Sequence, residues 1–548
     1  MTRAPRTLAV IDAGGATTSV SLLARLEGRW RLSGTLAGPT GIDEMALLTT
    51  LAGRIRAVDA ELGGWPEMQD AGLAKMPRLA ARSRRPGCLL VLGASRRIVT
   101  DLESEAIRTG WRIQTASTES HDPREMMTLA LDPSIDLVLI GSSEPPGPDE
   151  RAALDDLAAL GSAIAQRRPS LRMLVGRPIR SRRTWTAPAD EADDADDADR
   201  ITDAPPPSGR RSASHALRAA LEQQREDPDD GRTNLRAAVT SLAEVLDLRV
   251  ELFEIGFDGG ARLLAEPGAA GSGPSCRGII TAQGGLVPPE PDDDTVDAVL
   301  AWTTGSLDRH RMSDRLRDLR RRPWVDATGD GARLRLAAAS AALVRLGGLT
   351  PDLTSHPPAD LTVVSGGAFA TAPASAIVLA VANTIRRTGS TQLAWDHARL
   401  LGPIGTIEDP GERRALLADL VRDGLVPLGS LVVAGGLGGV SSGRRRPRTR
   451  GGRVTIETLG SSTRHDLVAG ELAFIDLPAG SAGRAHFEFP DVAKLGKRTR
   501  SVTTPVAGGL AGLIVDLRDV PLSLPDRRDR RRARLAEWGA EAWPGSDR

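Results

Sequence analysis

The first residues of the chain alternate apolar and small polar positions in a pattern typical of a tight β-hairpin. Residues 7–23 form an apolar run, a turn of glycine and hydroxyl residues, and a second apolar run. The alternation continues further, which predicts two or three antiparallel strands over 10–35. Apolar residues at helical spacing then predict a helix over 42–62.

Three short apolar runs further along the chain each end in a glycine. They occupy residues 88–93, 136–141 and 171–176, and the segments between them are long enough for helices. Largely apolar strands closed by glycine are typical of buried parallel β/α units. The pattern therefore predicts an α/β core with ligand-binding loops at the carboxyl ends of these strands.

A polar segment interrupts this pattern. Residues 190–199 consist of Asp, Glu and Ala, and three prolines follow at 205–207. This composition buries too little apolar surface to fold, so it predicts a mobile acidic linker over 186–212, with a docking tail for a basic partner as the alternative. Residues 250–264 then predict a strand, a glycine turn and a strand, as though the fold begins a second time.

The end of the chain is rich in short strands. It includes an arginine-rich stretch at 444–453, which is either a solvated loop or an anion-binding patch. The predicted organisation is a first lobe (1–185), the acidic linker (186–212), a second lobe (213–430), a β-rich domain (431–525) and a charged C-terminal helix (526–548).

The composition of the 548 residues favours several domains and no general affinity for nucleic acid. Lys plus Arg and Asp plus Glu both number 71, so the formal net charge is zero, and neither nucleic acid nor an anionic membrane is an expected partner. No apolar run is long enough for a membrane span. Cys88 and Cys276 have no metal-ligand spacing, so we expect no disulfide framework, no zinc site and a cytoplasmic location.

The first hairpin carries the residue types of a phosphate-binding loop. Gly14 and Gly15 lack a Cβ, so their amides can approach a phosphate closely, and Thr17 and Thr18 add hydroxyl donors. Asp12, at the end of the strand, would face a metal carried by that phosphate. A strand follows the glycines, whereas a helix follows them in P-loops and dinucleotide-binding turns. An ordinary tight hairpin is the alternative.

Two more glycine-rich loops complete a set of three. The first hairpin resembles the phosphate hairpin of the superfamily of actin, hexokinase and the heat-shock chaperones. That resemblance implies two phosphate hairpins and a loop poor in side chains that seats the adenosine, and it implies that the three loops converge. The residues concerned are Glu254, Gly256, Gly259 and Gly260 in the second hairpin, and Ser365, Gly366 and Gly367 in the third loop.

The order of these motifs resembles a known family, the glutamate mutase accessory proteins MutL and GlmL, which are unrelated to the mismatch-repair protein of the same name. The resemblance covers nearly the whole chain outside the acidic linker. Its motifs lie at residues 12–18, 140–143, 175–177, 364–367, 425–430 and 508–518.

The resemblance implies a duplicated actin-like (ribonuclease H-like) ATPase fold with two lobes and a small C-terminal β-rich domain, within the superfamily of actin, hexokinase and the heat-shock chaperones. It implies ATP and Mg²⁺ as cofactors, with Asp12 and Glu254 as catalytic residues and Asp12 as a metal ligand. The glycine and hydroxyl residues of the three loops would bind the nucleotide. It also implies a role in supporting or reactivating an adenosylcobalamin-dependent mutase, the expected partner.

The second hairpin departs from the family's pattern because it lacks hydroxyl residues. Arg262 stands at the start of its second strand and either supplies charge or is exposed. Two alternatives therefore stay open: a scaffold that keeps the fold without ATPase activity, and a small-molecule kinase with Asp330 as its general base. Two Asp and His pairs are interpreted as structural turns, with acid/base catalysis as the alternative: Asp308 with His310, and Asp396 with His397.

Overall fold

The computed structural model describes residues 6–83, 85–181, 200–205, 211–225, 231–268, 272–288, 291–324, 327–437 and 450–543, with the backbone alone for 211–215. Most of the predicted acidic linker, and the arginine-rich loop up to residue 449, therefore lie outside the described residues. The described chain is mixed α/β with four sheets. It divides into two compact units.

The strands, in chain order, are β1 (Thr7–Ala13), β2 (Thr17–Leu26), β3 (Arg29–Pro39), β4 (Arg78–Arg82), β5 (Cys88–Gly93), β6 (Arg112–Ser117), β7 (Leu137–Gly141), β8 (Arg172–Gly176), β9 (Ile201–Ala204), β10 (Val250–Ile255), β11 (Gly260–Glu266), β12 (Ser275–Thr281), β13 (Leu361–Ser365), β14 (Gly389–Trp395), β15 (Val426–Val433), β16 (Arg450–Thr458), β17 (Ser461–Val468), β18 (Leu472–Ile475), β19 (Ala482–Leu495), β20 (Lys497–Ala507) and β21 (Leu513–Asp516).

The helices are α1 (Glu44–Val58), α2 (Ala60–Gly63), α3 (Asp70–Leu73), α4 (Arg96–Ala106), α5 (Pro123–Ala130), α6 (Pro148–Arg167), α7 (Arg177–Arg180), α8 (Arg211–Gln223), α9 (Gly231–Leu246), α10 (Asp293–Leu300), α11 (Arg309–Arg321), α12 (Asp330–Leu349), α13 (Pro351–Ser355), α14 (Ala374–Thr384), α15 (Leu401–Ile404), α16 (Pro410–Gly424) and α17 (Arg528–Gly539).

Unit 1 (Met1–Arg84, Asp229–Ile279 and Gly284–Arg548) begins with a four-stranded sheet in the order β3-β2-β1-β4. The first hairpin is present as predicted: β1 runs antiparallel to β2, and β4 runs parallel to β1. The helix predicted over 42–62 is interrupted at Asp59, whose backbone is extended. Its carboxylate accepts a hydrogen bond from the Leu62 amide at 2.9 Å, so one helix ends there and α2 begins.

The second sheet of unit 1 has eight strands in the order β12-β11-β10-β13-β14-β15-β21-β18. Its first four strands repeat the arrangement of the first sheet, since the antiparallel hairpin of β10 and β11 is followed by β13 running parallel to β10. Phe253 and Ile255 of β10 and Val364 of β13 belong to one apolar core with α12 and α14. The two glycine-turn hairpins thus occupy the same place in a four-strand order that both sheets share.

The region predicted as a separate β-rich domain, 431–525, is shared between two sheets. One is a four-stranded sheet in the order β17-β16-β19-β20, whereas β21 pairs with β15 and with β18 in the eight-stranded sheet. All four residues of β21 are buried. Its three apolar residues, followed by Asp516 in an ion pair with Arg518, suit a strand covered on both faces, which explains why it lies inside the large sheet.

Unit 2 (Arg85–Pro228 with Ile280–Gln283) contains a five-stranded parallel sheet in the order β6-β5-β7-β8-β9. Separate apolar clusters cover it, one containing Leu90 and Val138 and the other Leu89 and Leu139. The three glycine-ended runs are β5, β7 and β8, as the sequence predicts. The predicted first lobe (1–185) spans parts of both units, because this sheet has its own core.

The predicted linker and the predicted C-terminal helix both contain residues that pack against the rest of the protein. Strand β9 lies inside the range predicted as a linker, and it pairs in parallel with β8. The charged C-terminal segment forms α17, whose Leu535 and Trp538 are buried in the core of unit 1. Among the described residues, no helix has the length and apolar character needed to cross a membrane.

Candidate functional site

The three glycine-rich loops of unit 1 meet around one cavity of about 50 Å³, which we name the glycine-loop cavity. The first hairpin, the second hairpin and the loop after β13 each contribute to its wall. The lining residues are Asp12, Gly14, Gly15, Ala16, Thr17, Ser83, Arg232, Glu254, Gly256, Phe257, Leu286, Arg335, Gly366, Gly367, Ala368 and Arg399.

The turn of the first hairpin is held by hydrogen bonds on both sides of its glycines. The Gly14 amide donates to the Thr17 carbonyl at 2.8 Å, and the Thr40 hydroxyl donates to the Gly14 carbonyl at 2.6 Å. The Trp324 indole donates to the Ala16 carbonyl at 2.8 Å. These bonds fix the backbone of the turn along the cavity wall.

The second hairpin lies directly against the first. A Cβ on Gly15 would stand 2.2 Å from the carboxylate of Asp258, so any side chain there would have to displace that carboxylate. Asp258 itself forms an ion pair with Arg320 and does not line the cavity. Glu254 is therefore the carboxylate that this hairpin presents to the cavity.

The third loop crosses the end of β10 at close range. Gly366 has φ +99°, and a Cβ there would lie 2.3 Å from the Ile255 carbonyl oxygen. A residue with a side chain would meet both a strained backbone and a steric clash at this position. The glycine thus allows β13 to deliver the loop beside the second hairpin.

Most of the predicted site residues line the cavity, and four do not. Strand residues that follow one another point to opposite faces, so Thr17 lines the cavity while Thr18 is buried elsewhere. The members that line it are Asp12, Gly14, Gly15, Thr17, Glu254, Gly256, Gly366 and Gly367. The others are Thr18, Gly259, Gly260 and Ser365, and the chemical role of every member stays a prediction.

Three arginines that the sequence did not single out also line the cavity: Arg232, Arg335 and Arg399. The Arg399 guanidinium lies 3.6 Å from the carboxylate of Asp12. Burial raises the pKa of Asp12, and the charges of Arg399 and Arg232 oppose that rise. The cavity therefore combines two carboxylates with three guanidinium groups, which is suited to an anionic group with a counter-charge.

Behind the third loop lies Asp396, which the sequence predicts to be part of a structural turn. It is 1% exposed and accepts hydrogen bonds from the Ser365 hydroxyl at 3.0 Å and from the Leu400 amide at 2.9 Å. It thereby joins the end of β13 to the segment that carries Arg399, whose φ is +54°. The sequence feature that indicates this role is the position of Asp396 directly after the last residue of β14.

Asp396 is expected to make stability depend on pH. Burial raises its pKa from 3.8 to about 6. Between these values the folded protein holds a proton that the unfolded chain releases, so the contribution of Asp396 to the free energy of unfolding falls as pH rises from about 4 to about 6. Asp396→Asn removes this contribution. Chemical denaturation of both proteins across that window should show the variant gaining relative stability as pH rises.

The control for this comparison is Asp491→Asn, which changes an exposed carboxylate on β19. Its stability difference from the parent should stay constant over the same pH window. A constant difference for Asp396→Asn as well would contradict the assignment of the titration to that carboxyl group.

Arg262 is neither exposed nor part of the cavity, contrary to both interpretations of its sequence position. Its side chain is 2% exposed, and its guanidinium pairs with Glu251 at 3.0 Å. Arg387 pairs with the other oxygen of Glu251, and the Thr350 hydroxyl accepts from Arg262 at 2.7 Å. Because β11 side chains alternate, Arg262 points into this buried ion cluster.

No protein-family model matches the chain, and no curated protein matches it. Among solved structures, the acetate kinase of Porphyromonas gingivalis is similar at 11% identity over 75% of this chain and 99% of its own, with a TM-score of 0.23. A carbohydrate kinase from Novosphingobium aromaticivorans is similar at 12% identity over 77% and 93%, with a TM-score of 0.21. Acetate kinase from Entamoeba histolytica is similar at 11% identity over 69% and 85%, with a TM-score of 0.17.

TM-scores this low carry no argument about the fold or function of the chain. The resemblance to the glutamate mutase accessory family is not confirmed by these comparisons. It stays a proposal that rests on the sequence motifs.

The remaining sequence candidates lie outside the glycine-loop cavity. Asp308 caps α11 by accepting a hydrogen bond from the Arg311 amide at 2.8 Å, which agrees with a structural turn. Asp330, the general base of the kinase alternative, is exposed in the first turn of α12 and does not line the cavity. His397 has a lowered pKa because its ring is partly desolvated.

A second and larger cavity of about 1230 Å³ lies in unit 2, at the carboxyl ends of β5 and β7. This is where the sequence predicted ligand loops. The helix starts there are already occupied by the protein's own carboxylates, since Glu119 accepts from the Arg96 amide at 3.0 Å and Glu150 from the Gly147 amide at 3.2 Å. The charged side chains that line it are acidic apart from Arg97.

Proposed function

We propose that the chain is a nucleotide-binding accessory protein that binds the phosphates of Mg-ATP in the glycine-loop cavity and acts on an adenosylcobalamin-dependent mutase. The observation that carries the nucleotide part is the convergence of three glycine-rich loops, distant in sequence, on one cavity that also holds Asp12 and Glu254. The repeated strand order of the two sheets supports an actin-like arrangement in which each hairpin grips the phosphates.

The size of the cavity identifies which part of the nucleotide it takes. A volume of about 50 Å³ accommodates a few water molecules or one phosphoryl group, whereas pockets for whole ligands measure roughly 300–1,000 Å³. Entry of a nucleotide therefore requires the loops to separate. Contacts that would resist this separation include the Trp324 hydrogen bond to Ala16 of the first hairpin and the ion pair of Asp258 of the second hairpin with Arg320 of α11.

The carboxylates fit a magnesium ion that arrives with the phosphates. Mg²⁺ is usually held by one or two carboxylates together with phosphate oxygens, and Asp12 and Glu254 are the two carboxylates of the cavity wall. No cluster of three His, Cys, Asp or Glu side chains that would bind a metal by itself occurs in the described ranges. When bound, the ion would neutralise charge on the phosphates.

Slow hydrolysis follows from the same arrangement. The second hairpin lines the cavity with Glu254, Gly256 and Phe257 and contributes no hydroxyl donor, so its transition-state stabilisation is weaker than fast turnover needs. Glu254 is the group that would orient an attacking water. A scaffold without nucleotide binding is the competing function, and the small size of the cavity is the observation in its favour.

Asp12→Asn is expected to weaken Mg-ATP binding at least tenfold because it removes one of two carboxylates that would face the metal. The measurement is the rise in melting temperature on adding Mg-ATP, since a ligand that binds only the folded state stabilises it in proportion to the logarithm of its concentration over Kd. The rise should be smaller in the variant than in the parent at every nucleotide concentration.

Asp330→Asn is the matched control, because it changes an exposed carboxylate outside the cavity. It should show the full rise of the parent. An equal rise in Asp12→Asn would contradict the assignment of Asp12, and no rise in the parent would favour the scaffold.

The mutase partner rests on the resemblance of the sequence motifs. An adenosylcobalamin-dependent mutase that has lost activity during turnover should regain it when the protein and Mg-ATP are added together. Recovery that is the same without the protein would contradict this part of the proposal.

A further inference from the structure

We propose that Arg335 is a direct ligand for a phosphate group in the glycine-loop cavity and that it allows this site to bind phosphate without a metal ion. The inference deepens the proposed function and rests on it for the location of the site. The ligand is a tetrahedral phosphate oxyanion. It has two possible sources, the end of a nucleotide and free inorganic phosphate, which present the same group to the site.

Arg335 is a buried arginine, and two of its guanidinium nitrogens have no hydrogen-bond partner among the described residues. Arg335 is 5% exposed and lies on α12 with its side chain lining the cavity. Its Nε and Nη2 atoms are buried, and neither has a hydrogen-bond partner in the part of the chain that the structure describes. An arginine held this way costs the folded state free energy, since it loses water and gains no compensating bond.

The other buried arginines of unit 1 show the contrast. Arg262 and Arg387 share the carboxylate of Glu251, and Arg518 pairs with Asp516 at 2.6 Å. The pKa of Arg335 is lowered by burial, with no opposing carboxylate among the causes. Arg262, Arg387 and Arg518 thus have an anionic partner within the chain. For Arg335, a ligand from outside the chain would supply the anionic partner.

The cavity around Arg335 matches a phosphate in size and charge. Its side chains carry three guanidinium groups and the carboxylates of Asp12 and Glu254, so the positive charges outnumber the negative ones. Gly14, Gly15 and Gly256 line the same cavity, so the backbone of both hairpins lies along its wall without side chains in the way. A guanidinium presents two parallel N–H donors, which fit two oxygens of one phosphate. The remaining phosphate oxygens stay available to the other groups of the cavity wall.

The test compares the intact protein with Arg335→Gln, using inorganic phosphate in the presence of EDTA and, separately, Mg-ATP. Isothermal titration calorimetry should detect phosphate binding by the parent without metal and a loss of at least tenfold in the variant. Arg54→Gln, which removes an exposed arginine from α1, is the control and should bind as the parent does.

A second variant separates a ligand role from a structural one. Arg335→Met keeps a long side chain but removes the buried charge, so without ligand its melting temperature should equal or exceed that of the parent. Phosphate should raise the melting temperature of the parent and leave that of Arg335→Met unchanged. A lower melting temperature of the ligand-free variant would overturn the proposal, because it would mean that Arg335 stabilises the empty protein.

The two arms distinguish failure of the inference from failure of the proposed function. Phosphate bound through Arg335 in a protein that binds no Mg-ATP would support the inference, identify free phosphate as the source, and contradict the nucleotide function. Mg-ATP bound equally well by the parent and Arg335→Gln would overturn the inference while leaving the nucleotide function in place. No phosphate binding by the parent in EDTA would also overturn it.

Discussion

Glu251→Gln is expected to lower the free energy of unfolding of unit 1 by about 3–5 kcal/mol, the cost of removing one partner from a buried ion pair. The carboxylate of Glu251 is 0% exposed and pairs with both Arg262 and Arg387. Without it, two buried guanidinium groups face each other with hydroxyl and carbonyl oxygens as their remaining partners. Urea denaturation at neutral pH measures the loss.

The matched control is Glu266→Gln. Glu266 also contacts two arginines, Arg249 at 3.3 Å and Arg277 at 3.4 Å, but its side chain is 33% exposed. Solvent screens such pairs, so the expected loss is below about 1 kcal/mol. Equal losses for the two variants would show that burial does not decide the strength of the Glu251 cluster.

Gly366→Ala is expected to abolish detectable Mg-ATP binding while costing stability as well. The alanine Cβ would lie 2.3 Å from the Ile255 carbonyl, and φ +99° is strained for any residue with a side chain. The backbone must therefore move, at a cost of roughly 1–3 kcal/mol, and the third loop leaves its place beside the second hairpin. Nucleotide binding and urea denaturation are measured on the same preparation.

The control substitution is Gly348→Ala near the end of α12, where an added Cβ meets nothing within 4 Å. It should keep nucleotide binding and leave stability equal or slightly raised, since alanine favours a helix over glycine by roughly 0.5–1 kcal/mol. Unchanged binding in Gly366→Ala would mean that the third loop is not part of the nucleotide site.

The parts of the fold that the sequence predicted are those with local signals. The two hairpins have glycines between apolar runs, and the strands β5, β7 and β8 are short, apolar and closed by glycine. The convergence of the three loops was predicted from a resemblance, because nothing local in the sequence specifies which strands pair across more than a hundred residues. The pairing of β10 with β13 is such a contact.

The residues that sequence reasoning missed are those whose environment is set by tertiary packing. Arg335 follows the start of a helix with no motif around it, and only the packing of α12 places it in the cavity. Asp396 was interpreted as part of a turn, and the hydrogen bond that it accepts from the Leu400 amide agrees with that, but its hydrogen bond from Ser365 depends on the pairing of β13 with β14. Arg262 was left open between supplying charge and being exposed, because nothing in the sequence around it indicates its buried partner Glu251.

The predicted domain bounds diverge from the observed units for a similar reason. Strand β9 is four residues long and stands beside an acidic run, so its sequence resembles a linker. Strand β21 follows the β-rich segment in sequence but pairs with β15. In both cases the position of the strand is set by its pairing with another strand that is not its neighbour in sequence.

Calorimetric titration of the full-length protein with Mg-ATP tests the central claim most directly. The account predicts saturable binding at one site, weakened by Asp12→Asn and absent in Gly366→Ala. Absence of heat from the parent at millimolar Mg-ATP, at more than one temperature so that a zero enthalpy is not mistaken for no binding, would contradict it.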